Sequence, residues 1–379
     1  MSENYLVGQA EVANSMGGER YRIASFNMYQ FNLRSDASIK KDLALIAKII
    51  QKNSFDIVAM QEVLTPEVIK LLLRHLPGWN YRWAQPRYMT DDRFRNKYTD
   101  NIKQRQRVKG FSMSQREAEG YAFLWNTQRF DLASYRDKNG QEKIFEPRIY
   151  NQYRLDRKSG QQPLARNPYY GKFMPLFAGR RRGIELRLIN THITFGDTGK
   201  ANLRRQELKV LFDQVYRKIH NDRIDETDPN IVSYTIMMGD YNLNLKRQWT
   251  KTPFMTAPDK SGNSMEVYTI PDSISSVQPG SNAVGTIVTV QESLSTLSRP
   301  DRDNYNENRQ LANNFDHFSY SQRYGSDGIC KKAYAVNEIK YVSNEYKPRD
   351  PTKVQNETPV DIYKRAISDH LPISMDIII

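Results

Sequence analysis

Alternating apolar and polar positions mark the first elements of the chain. Residues 21–29 alternate as a β-strand does, and residues 56–63 form an apolar run that ends in charge, which is typical of a buried strand. Between them, apolar residues recur at helical spacing over residues 38–50, which predicts an amphipathic helix. The pair Thr65-Pro66 indicates the start of a second helix over residues 67–76, because threonine is a common N-cap and proline is tolerated at the first helical position.

Strands dominate the rest of the pattern. Short apolar or alternating runs predict six more strands, at residues 121–125, 184–192, 234–240, 315–320, 333–340 and 373–379. A third helix is predicted over residues 202–219. Although 379 residues would allow two or three domains, this mixture favours a single α/β (α+β) layered domain over residues 21–379, after a polar tail at residues 1–20.

Three long stretches lack a regular pattern and are rich in polar and turn residues. They cover about residues 81–119, 135–182 and 243–314. We interpret the first two as surface loops within a basic region at about 81–182, and the third as an insertion at about 243–314. A role for the insertion in partner binding or substrate gating stays open.

The net charge of +13 is concentrated in the middle of the chain. Residues 81–190 hold 24 basic and 11 acidic side chains, whereas basic and acidic groups cancel in the remainder. Basic groups at 93–97, 103–109, 154–158 and 180–182 are interleaved with tyrosines that include Tyr169 and Tyr170. This pattern favours a surface that faces a polyanion, such as nucleic acid or anionic lipid headgroups, and the alternative is a set of solvated loops.

Composition excludes several classes of protein. A content of 39% hydrophobic and 11% aromatic residues is enough for a sizeable core, so the chain is not disordered overall. No apolar run approaches the roughly 20 residues of a membrane span, and residues 1–20 lack the apolar stretch of a secretory signal. The single cysteine, Cys330, fits a reducing compartment and is expected to be buried or inert. We therefore expect a cytoplasmic protein, with delivery as an effector left open.

Polar residues recur where the predicted strands end or begin. The positions are Asn27, Glu62, His192, Asp240 with Asn242, Asp316, and Asp369 with His370. Turn chemistry is the commoner explanation for any one of them, because asparagine and aspartate favour turns. Several positions with complementary chemistry favour instead a site at the end of a rigid sheet.

The strings around these residues resemble the endonuclease/exonuclease/phosphatase superfamily, and most closely its deoxyribonuclease I branch. The strings are RIASFN, DIVAMQEV, LINTHI, MMGDYNLN, NNFDHFSY and ISDHLPI, and they occur in the family's order from about residue 22 to residue 372. The resemblance implies a four-layer α-β-β-α sandwich, with two mixed β-sheets packed face to face. It also implies a metal-dependent phosphoesterase cleft at one sheet edge.

The resemblance assigns a metal site and an attacking group. Glu62 is similar to the family's principal metal ligand, with Asn27 and Asp369 as further ligands, and such oxygen donors suit Mg²⁺ or Mn²⁺. Asp240 resembles the residue that orients or deprotonates the attacking water. Asn242 resembles one that steadies the phosphate oxygens.

The resemblance also implies roles for two of the five histidines. His370 is similar to a phosphate-contacting or proton-transferring histidine that Asp316 holds in its tautomer. His192 matches the deoxyribonuclease I position that protonates the leaving oxygen, with Glu119 as its partner.

The remaining assignments are weaker. Arg166 resembles a phosphate-binding arginine, and the alternative is an ordinary basic loop residue. His75 and His220 lie near predicted helix ends, where a capping role suffices. His317, which neighbours Asp316 on a predicted strand, is expected to face the other way.

These observations predict a Mg²⁺- or Mn²⁺-dependent nuclease that cleaves DNA endonucleolytically with low sequence specificity. A phosphatase or lipid phosphodiesterase of the inositol phosphate or sphingomyelin type is the alternative on the same scaffold. A catalytically inactive binding module is the alternative of another class. The preference for DNA over RNA, endo- over exonucleolytic cleavage, protein partners and the oligomeric state stay open.

Overall fold

The computed structural model describes most of the predicted elements. It describes residues 18–33, 41–86, 119–151, 164, 166–181, 183–193, 201–221, 231–243, 256–258, 264–266, 287–290, 295–297, 311, 315–321, 324, 327–348 and 357–379.

The first sheet is mixed and has six strands. In chain order they are β1 (Arg20–Phe31), β2 (Ile57–Val63), β3 (Trp79–Ala84), β4 (Gly120–Asn126), β17 (Cys330–Ala335) and β18 (Ile373–Ile378). The spatial order is β17-β18-β1-β2-β4-β3. Only β1 and β2 run parallel, and they occupy the middle of the sheet.

The second sheet is also mixed and has eight strands. They are β5 (Phe130–Leu132), β8 (Arg148–Ile149), β9 (Tyr169–Phe177), β10 (Arg180–Arg181), β11 (Ile184–His192), β12 (Val232–Asp240), β15 (Ile287–Val290) and β16 (Asp316–Ser321). The main path is β10-β9-β11-β12-β16-β15, and β5 and β8 also pair with β9. The central pair β11 and β12 is parallel. Two small hairpins, β6 (Ser134–Arg136) with β7 (Glu142–Ile144) and β13 (Thr256–Pro258) with β14 (Ser264–Glu266), stand apart.

Helices cover the outer face of each sheet. On the first sheet lie α1 (Leu43–Lys52), α2 (Pro66–Leu73), α4 (Ile339–Glu345) and α5 (Pro359–Ala366). On the second lies α3 (Ala201–Val210), which continues through a π-helical segment (Leu211–Tyr216) into a last turn (Arg217–His220). The layers are therefore helix, sheet, sheet and helix, and the predicted four-layer sandwich is confirmed.

Strand alternation explains why the two sheets pack in this way. In β1, Ala24 and Phe26 pack towards the helices, whereas Tyr21 and Ile23 pack between the sheets. Side chains of the second sheet such as Leu188 complete the inter-sheet core. Because successive side chains of a strand point to opposite faces, one apolar strand contributes both to the core beneath the helices and to the core between the sheets.

Several sequence predictions need correction. The stretch 135–182, predicted to be irregular, contains the nine-residue strand β9. The strand predicted at 333–340 is divided between β17 and α4, and α5 was not predicted. The predicted insertion at 243–314 contributes β15, which pairs with β16, so part of it belongs to the sandwich.

The first predicted helix begins at Leu43, later than residue 38. The side chain of Asp42 accepts a hydrogen bond from the Leu45 amide and acts as the N-cap. Cys330 is buried, as expected, and burial raises the pKa of its thiol above the usual range. In the part of the chain that the structure describes, no helix is both long enough and apolar enough to cross a membrane.

Candidate active site

The two parallel strand pairs end at the same edge of the sandwich and carry the central side chains of the site. Asn27 and Glu62 lie towards the ends of β1 and β2, and His192 and Asp240 end β11 and β12. In the strand register His192 pairs with Asp240, and Asp240 pairs with Asp316, the first residue of β16. Parallel pairing in each sheet therefore places residues of distant sequence position side by side.

Asp240 lies at the centre of this group and its side chain is almost fully buried. Asn27 Nδ2 donates to Asp240 Oδ2 at 2.9 Å and to Glu62 Oε1 at 3.1 Å. The Nε2 atoms of His192 and His370 lie 3.6 and 3.8 Å from Asp240 Oδ2. His192 Nε2 is also 3.9 Å from Glu62 Oε1, so the two sheets meet at these side chains.

Strained backbone presents two of the carboxylates. Glu62 has a φ of +57° and Gln30 a φ of +53°, and the Gln30 amide donates to Glu62 Oε2 at 3.1 Å. Asn242 has a φ of +50°, and its amide donates to Asp240 Oδ1 at 2.8 Å. Left-handed conformations at residues other than glycine cluster at functional sites, where the surrounding structure holds them. The Asn242 side chain donates to the Ile193 carbonyl at 2.8 Å, and its contact with phosphate stays a prediction.

Asp316 and His370 form a buried pair. His370 Nδ1 donates to Asp316 Oδ2 at 2.8 Å, so its Nε2 is directed towards the site. Burial disfavours the charged imidazole, but Asp316, followed by Asp240 and Asp369, outweighs it and holds the pKa of His370 well above its usual value. The pair therefore favours an imidazolium at neutral pH.

Ser295 supports this pair and was not predicted. Its hydroxyl donates to Asp316 Oδ2 at 2.6 Å, and its carbonyl accepts from the Leu371 amide at 2.7 Å. Thr296 forms an isolated bridge with His370. The segment around Ser295, which was predicted to belong to the insertion, therefore supports the Asp316–His370 pair. No local pattern around Ser295 could have indicated this contact.

Glu119, His192 and Arg166 form a second cluster. His192 Nδ1 lies 3.4 Å from Glu119 Oε2, and Arg166 Nη2 lies 2.5 Å from the same oxygen. The structure thus brings the three predicted residues together, with Arg166 as the nearer neighbour of Glu119. The His192 amide also donates to the Tyr121 hydroxyl at 3.2 Å.

Burial and neighbouring carboxylates raise the pKa of two carboxyl groups at the site. Burial, then the charges of Glu119 and Asp369, raise the pKa of Glu62 to about 8. Burial and the nearby Asp316 raise the pKa of Asp240 to about 7. Such crowding of oxygen donors favours a bound divalent cation, which would stabilise the ionised forms.

Two sets of side chains could hold that cation. Ligand atoms of Asp240, Asp316 and His370 lie within 4.8 Å of one another. Since His370 Nδ1 is already bonded to Asp316, we favour the predicted set of Glu62, Asp369 and Asn27 for a hard cation. Asn27 Oδ1 accepts from the Tyr29 amide at 3.0 Å, so a flip of its amide is needed before this oxygen can face the carboxylates.

Lys41 is a further charged residue near the site that sequence reasoning missed. It is half-buried, and its Nζ donates to the Lys364 carbonyl at 3.4 Å. Burial lowers its pKa to about 8, while the charges of Asp369 and Glu62 oppose the shift. In the sequence, a lysine before a helix N-cap is indistinguishable from a solvated surface charge.

The other histidines lie away from the site. His317 Nε2 donates to the Leu243 carbonyl at 3.2 Å, and its ring contacts Tyr241 in the outer layer, on the side away from Asp316 as predicted. His220 bonds to the Tyr324 hydroxyl at 3.0 Å, and His75 is exposed.

The structure describes only part of the predicted basic region. Residues 87–118, 152–163, 165 and 182 lie outside the described residues. Tyr169 and Tyr170 are buried core residues and not surface groups, which corrects the predicted aromatic interleaving at these two positions. Arg180 and Arg181 pair with Phe177 and Leu176, at the end of the second sheet opposite His192, so these two arginines do not lie at the candidate site.

Comparison with known proteins places this arrangement in a family. Residues 24–370 match the model of the Endonuclease/Exonuclease/phosphatase family. No curated protein matches the chain at a significant level.

Solved structures with a similar fold include three proteins of low sequence identity. An endonuclease/exonuclease/phosphatase from Bacteroides vulgatus has a TM-score of 0.48 and 13% identity, over 94% of this chain and 98% of that one. A mannosyl-6-phosphatase from Bacteroides thetaiotaomicron has a TM-score of 0.46 and 16% identity, over 95% and 100%. TDP2 from C. elegans has a TM-score of 0.44 and 15% identity, over 98% and 80%. By its family match, the chain belongs to the endonuclease/exonuclease/phosphatase family of hydrolytic enzymes.

Proposed function

We propose that the chain is a divalent-metal-dependent phosphodiesterase that cleaves DNA internally with little sequence preference. The observation that carries the proposal is the approach of two histidines to one aspartate. His192 Nε2 and His370 Nε2 both lie within 4 Å of Asp240 Oδ2, and Glu62 lies beside them. Phosphodiester hydrolysis needs an oriented water, stabilisation of phosphate charge and a proton for the leaving oxygen.

Each need has a candidate among the described residues. Glu62, with Asp369 and Asn27, would hold Mg²⁺ or Mn²⁺, which when bound stabilises negative charge on the phosphate oxygens. Asp240 orients the attacking water and accepts its proton. His370, kept charged by Asp316, contacts a phosphate oxygen, and His192 donates a proton to the leaving oxygen.

DNA as the substrate is supported by charge. Residues 81–190 hold 24 basic and 11 acidic side chains, and this segment includes Glu119 and Arg166, which lie beside His192. A segment with this excess of positive charge, two of whose residues lie at the candidate site, suits a polyanion that offers many phosphates.

Nicking of supercoiled plasmid tests the proposal. We expect the wild type to convert supercoiled DNA to the open circle in Mg²⁺ or Mn²⁺, with a rate that falls steeply as salt rises. His192→Ala and Asp240→Ala should lose this activity, whereas His75→Ala, at an exposed histidine outside the site, should retain it. The proposal is refuted if the wild type does not nick DNA with any divalent metal.

A phosphomonoesterase is the second candidate, and one distance favours it. Glu119 Oε2 is closer to Arg166 than to His192. The position of Glu119 therefore does not single out His192 as an acid that protonates a leaving group. A panel of duplex DNA, single-stranded DNA, RNA, inositol phosphates and sphingomyelin separates the substrate classes. Activity on the monoesters alone, with little dependence on salt, would replace the first proposal.

The role of His192 can be tested with leaving groups of different acidity. A p-nitrophenolate leaves without a proton, whereas a sugar alkoxide needs one. We expect His192→Ala to lose at least about 10²-fold in kcat on DNA but much less on bis(p-nitrophenyl) phosphate. Equal losses on both substrates would exclude a leaving-group acid at this position.

A further inference from the structure

A buried pair of amide side chains connects the two sheets directly below the site. Gln61 Nε2 donates to Asn190 Oδ1 at 2.7 Å and to Ser25 Oγ at 3.0 Å. All three side chains are completely buried. Most of the side chains that pack between the sheets are apolar, such as Ala59 and Leu188, and their packing is not directional.

These amides adjoin the residues of the site. Gln61 precedes Glu62 in β2, and Asn190 lies two positions before His192 in β11. Since side chains alternate along a strand, Asn190 and His192 lie on the same face of the second sheet.

Asn190 also bonds to the backbone where β2 is irregular. Its Nδ2 donates to the Met60 carbonyl at 2.9 Å and to the Ala122 carbonyl at 3.3 Å. The register between β2 and β4 shifts between Met60 and Val63, so the strands bulge there. Glu62, with its φ of +57°, lies inside this bulge.

We propose that the Gln61–Asn190 pair positions Glu62 by supporting the β2 bulge from the opposite sheet. A bulge redirects a side chain, but it leaves backbone groups without ladder partners and needs another source of hydrogen bonds. Asn190 supplies that source from the strand that carries His192. Gln61 and Asn190 are thus positioning residues for the proposed metal ligand, and the inference rests on the proposed function.

This arrangement sets the distance between groups of different sheets. Glu62 Oε1 and His192 Nε2 are 3.9 Å apart, although each belongs to a different sheet. An apolar pair of similar size would fill the same volume but would not fix the bulge. Replacement of the Gln61–Asn190 pair by apolar side chains should therefore reduce activity more than it reduces stability.

The test uses Gln61→Met, Asn190→Leu, the double variant, and Thr235→Val as a matched control. Thr235 is buried in β12, five residues before Asp240, and the variant replaces a hydroxyl with a methyl group of similar size. The readouts are kcat and KM on bis(p-nitrophenyl) phosphate, direct titration of Mn²⁺ without substrate, and thermal unfolding.

We expect Asn190→Leu to lose about 10–100-fold in kcat and about 10-fold in Mn²⁺ affinity, with little change in KM. Gln61→Met should lose less, because Asn190 can still support the bulge, and Thr235→Val should behave as the wild type. The double variant should recover thermal stability relative to Asn190→Leu without recovering kcat, because the buried Gln61 amide, which has lost its Asn190 partner, is removed as well.

Two results would overturn the inference. One is an Asn190→Leu enzyme with the kcat and Mn²⁺ affinity of Thr235→Val. The other is a loss of kcat that, in every variant, is fully explained by the fraction of enzyme that is unfolded. If Asn190→Leu does not fold, a Gln61→Met enzyme with the kcat and Mn²⁺ affinity of the wild type would overturn the inference instead. A wild type without phosphoesterase activity would refute the proposed function instead, and Mn²⁺ titration would still test the positioning of Glu62.

Discussion

Gly239 is the position where one added methyl group should damage both the fold and the site. It lies in β12 opposite Thr191 of β11, one residue before Asp240. Its φ is +148°, a conformation that residues with a side chain rarely adopt. A Cβ at this position would lie 1.8 Å from the Thr191 carbonyl oxygen and 2.8 Å from the carbonyl carbon.

The size of the effect follows from these distances. Real Cβ atoms essentially never approach non-bonded heavy atoms of other residues within 3.0 Å, so Gly239→Ala must move β11 and β12 apart by more than 1 Å or rotate the peptide. Backbone strain of about 1–3 kcal/mol and the weakening of one or two ladder hydrogen bonds at about 1 kcal/mol each give a loss of roughly 2–5 kcal/mol in stability. Because Asp240 follows directly, a shift of that size should also reduce kcat by about 10²-fold.

Urea unfolding and kinetics on bis(p-nitrophenyl) phosphate measure the two effects. Gly179→Ala is the control, because Gly179 also has a positive φ, +74°, but a Cβ there would meet no atom within 4 Å. It should lose only about 1–2 kcal/mol in stability and keep its kcat. If Gly239→Ala matches the control in both measurements, the close approach of β11 and β12 does not shape the site.

Three further predictions concern titration, tautomer and charge. Burial, then the nearby Arg187, lower the pKa of His220 to about 4. The unfolded chain therefore takes up a proton at His220 below about pH 6.5, whereas the folded chain does not. From pH 7.5 to pH 5 the free energy of unfolding of the wild type should fall by about 2 kcal/mol relative to that of His220→Phe, in which all other groups titrate as in the wild type. Asp316→Asn should lower kcat by at least about 10²-fold with little effect on KM, since His370 loses the carboxylate that holds its tautomer and charge. Lys41→Met should raise KM for DNA and reduce the slope of log KM against log salt by about 1, if its ammonium contacts a phosphate.

Matched substitutions control these experiments. His75→Gln, at an exposed histidine, should leave the pH dependence of unfolding as it is in the wild type. Asp213→Asn, on the outer helix, should retain kcat. Lys48→Met removes a lysine whose Nζ is 3.1 Å from Glu345 on the surface, and it should not change the salt slope. An effect of the same size in a variant and its control would contradict the corresponding prediction.

The pattern of the sequence predicted the framework because alternation and strand ends are local properties. Asn27, Glu62, His192 and Asp240 each follow an apolar strand core, and parallel pairing then brings them together. The helix α5 carried a signal of the same kind as that at Thr65-Pro66, a Thr-Pro pair at 358–359, and this could have been used. The Thr358 side chain indeed forms a capping box with Asp361.

Other features depended on contacts that no local pattern encodes. Strand β9 was missed because Gly171 and Pro175 interrupt it, and both residues are usually signs of a turn. Ser295 reaches Asp316 only through the tertiary fold, and Lys41 lies near Glu62 and Asp369 for the same reason. The contacts of such side chains can be recognised only from the three-dimensional structure.

The pairing of β1 with β18 has a consequence for synthesis of the protein. The register runs from Arg20 opposite Ile378 to Ser25 opposite Ile373, and Ser368 Oγ donates to the Asn27 carbonyl at 2.7 Å. A nascent chain therefore carries Asn27 and Glu62 long before Asp369 and His370, which lie far along the sequence, have been made. Closing a sheet through such distant partners is slow, and it delays assembly of the candidate site until the β18 segment has been made.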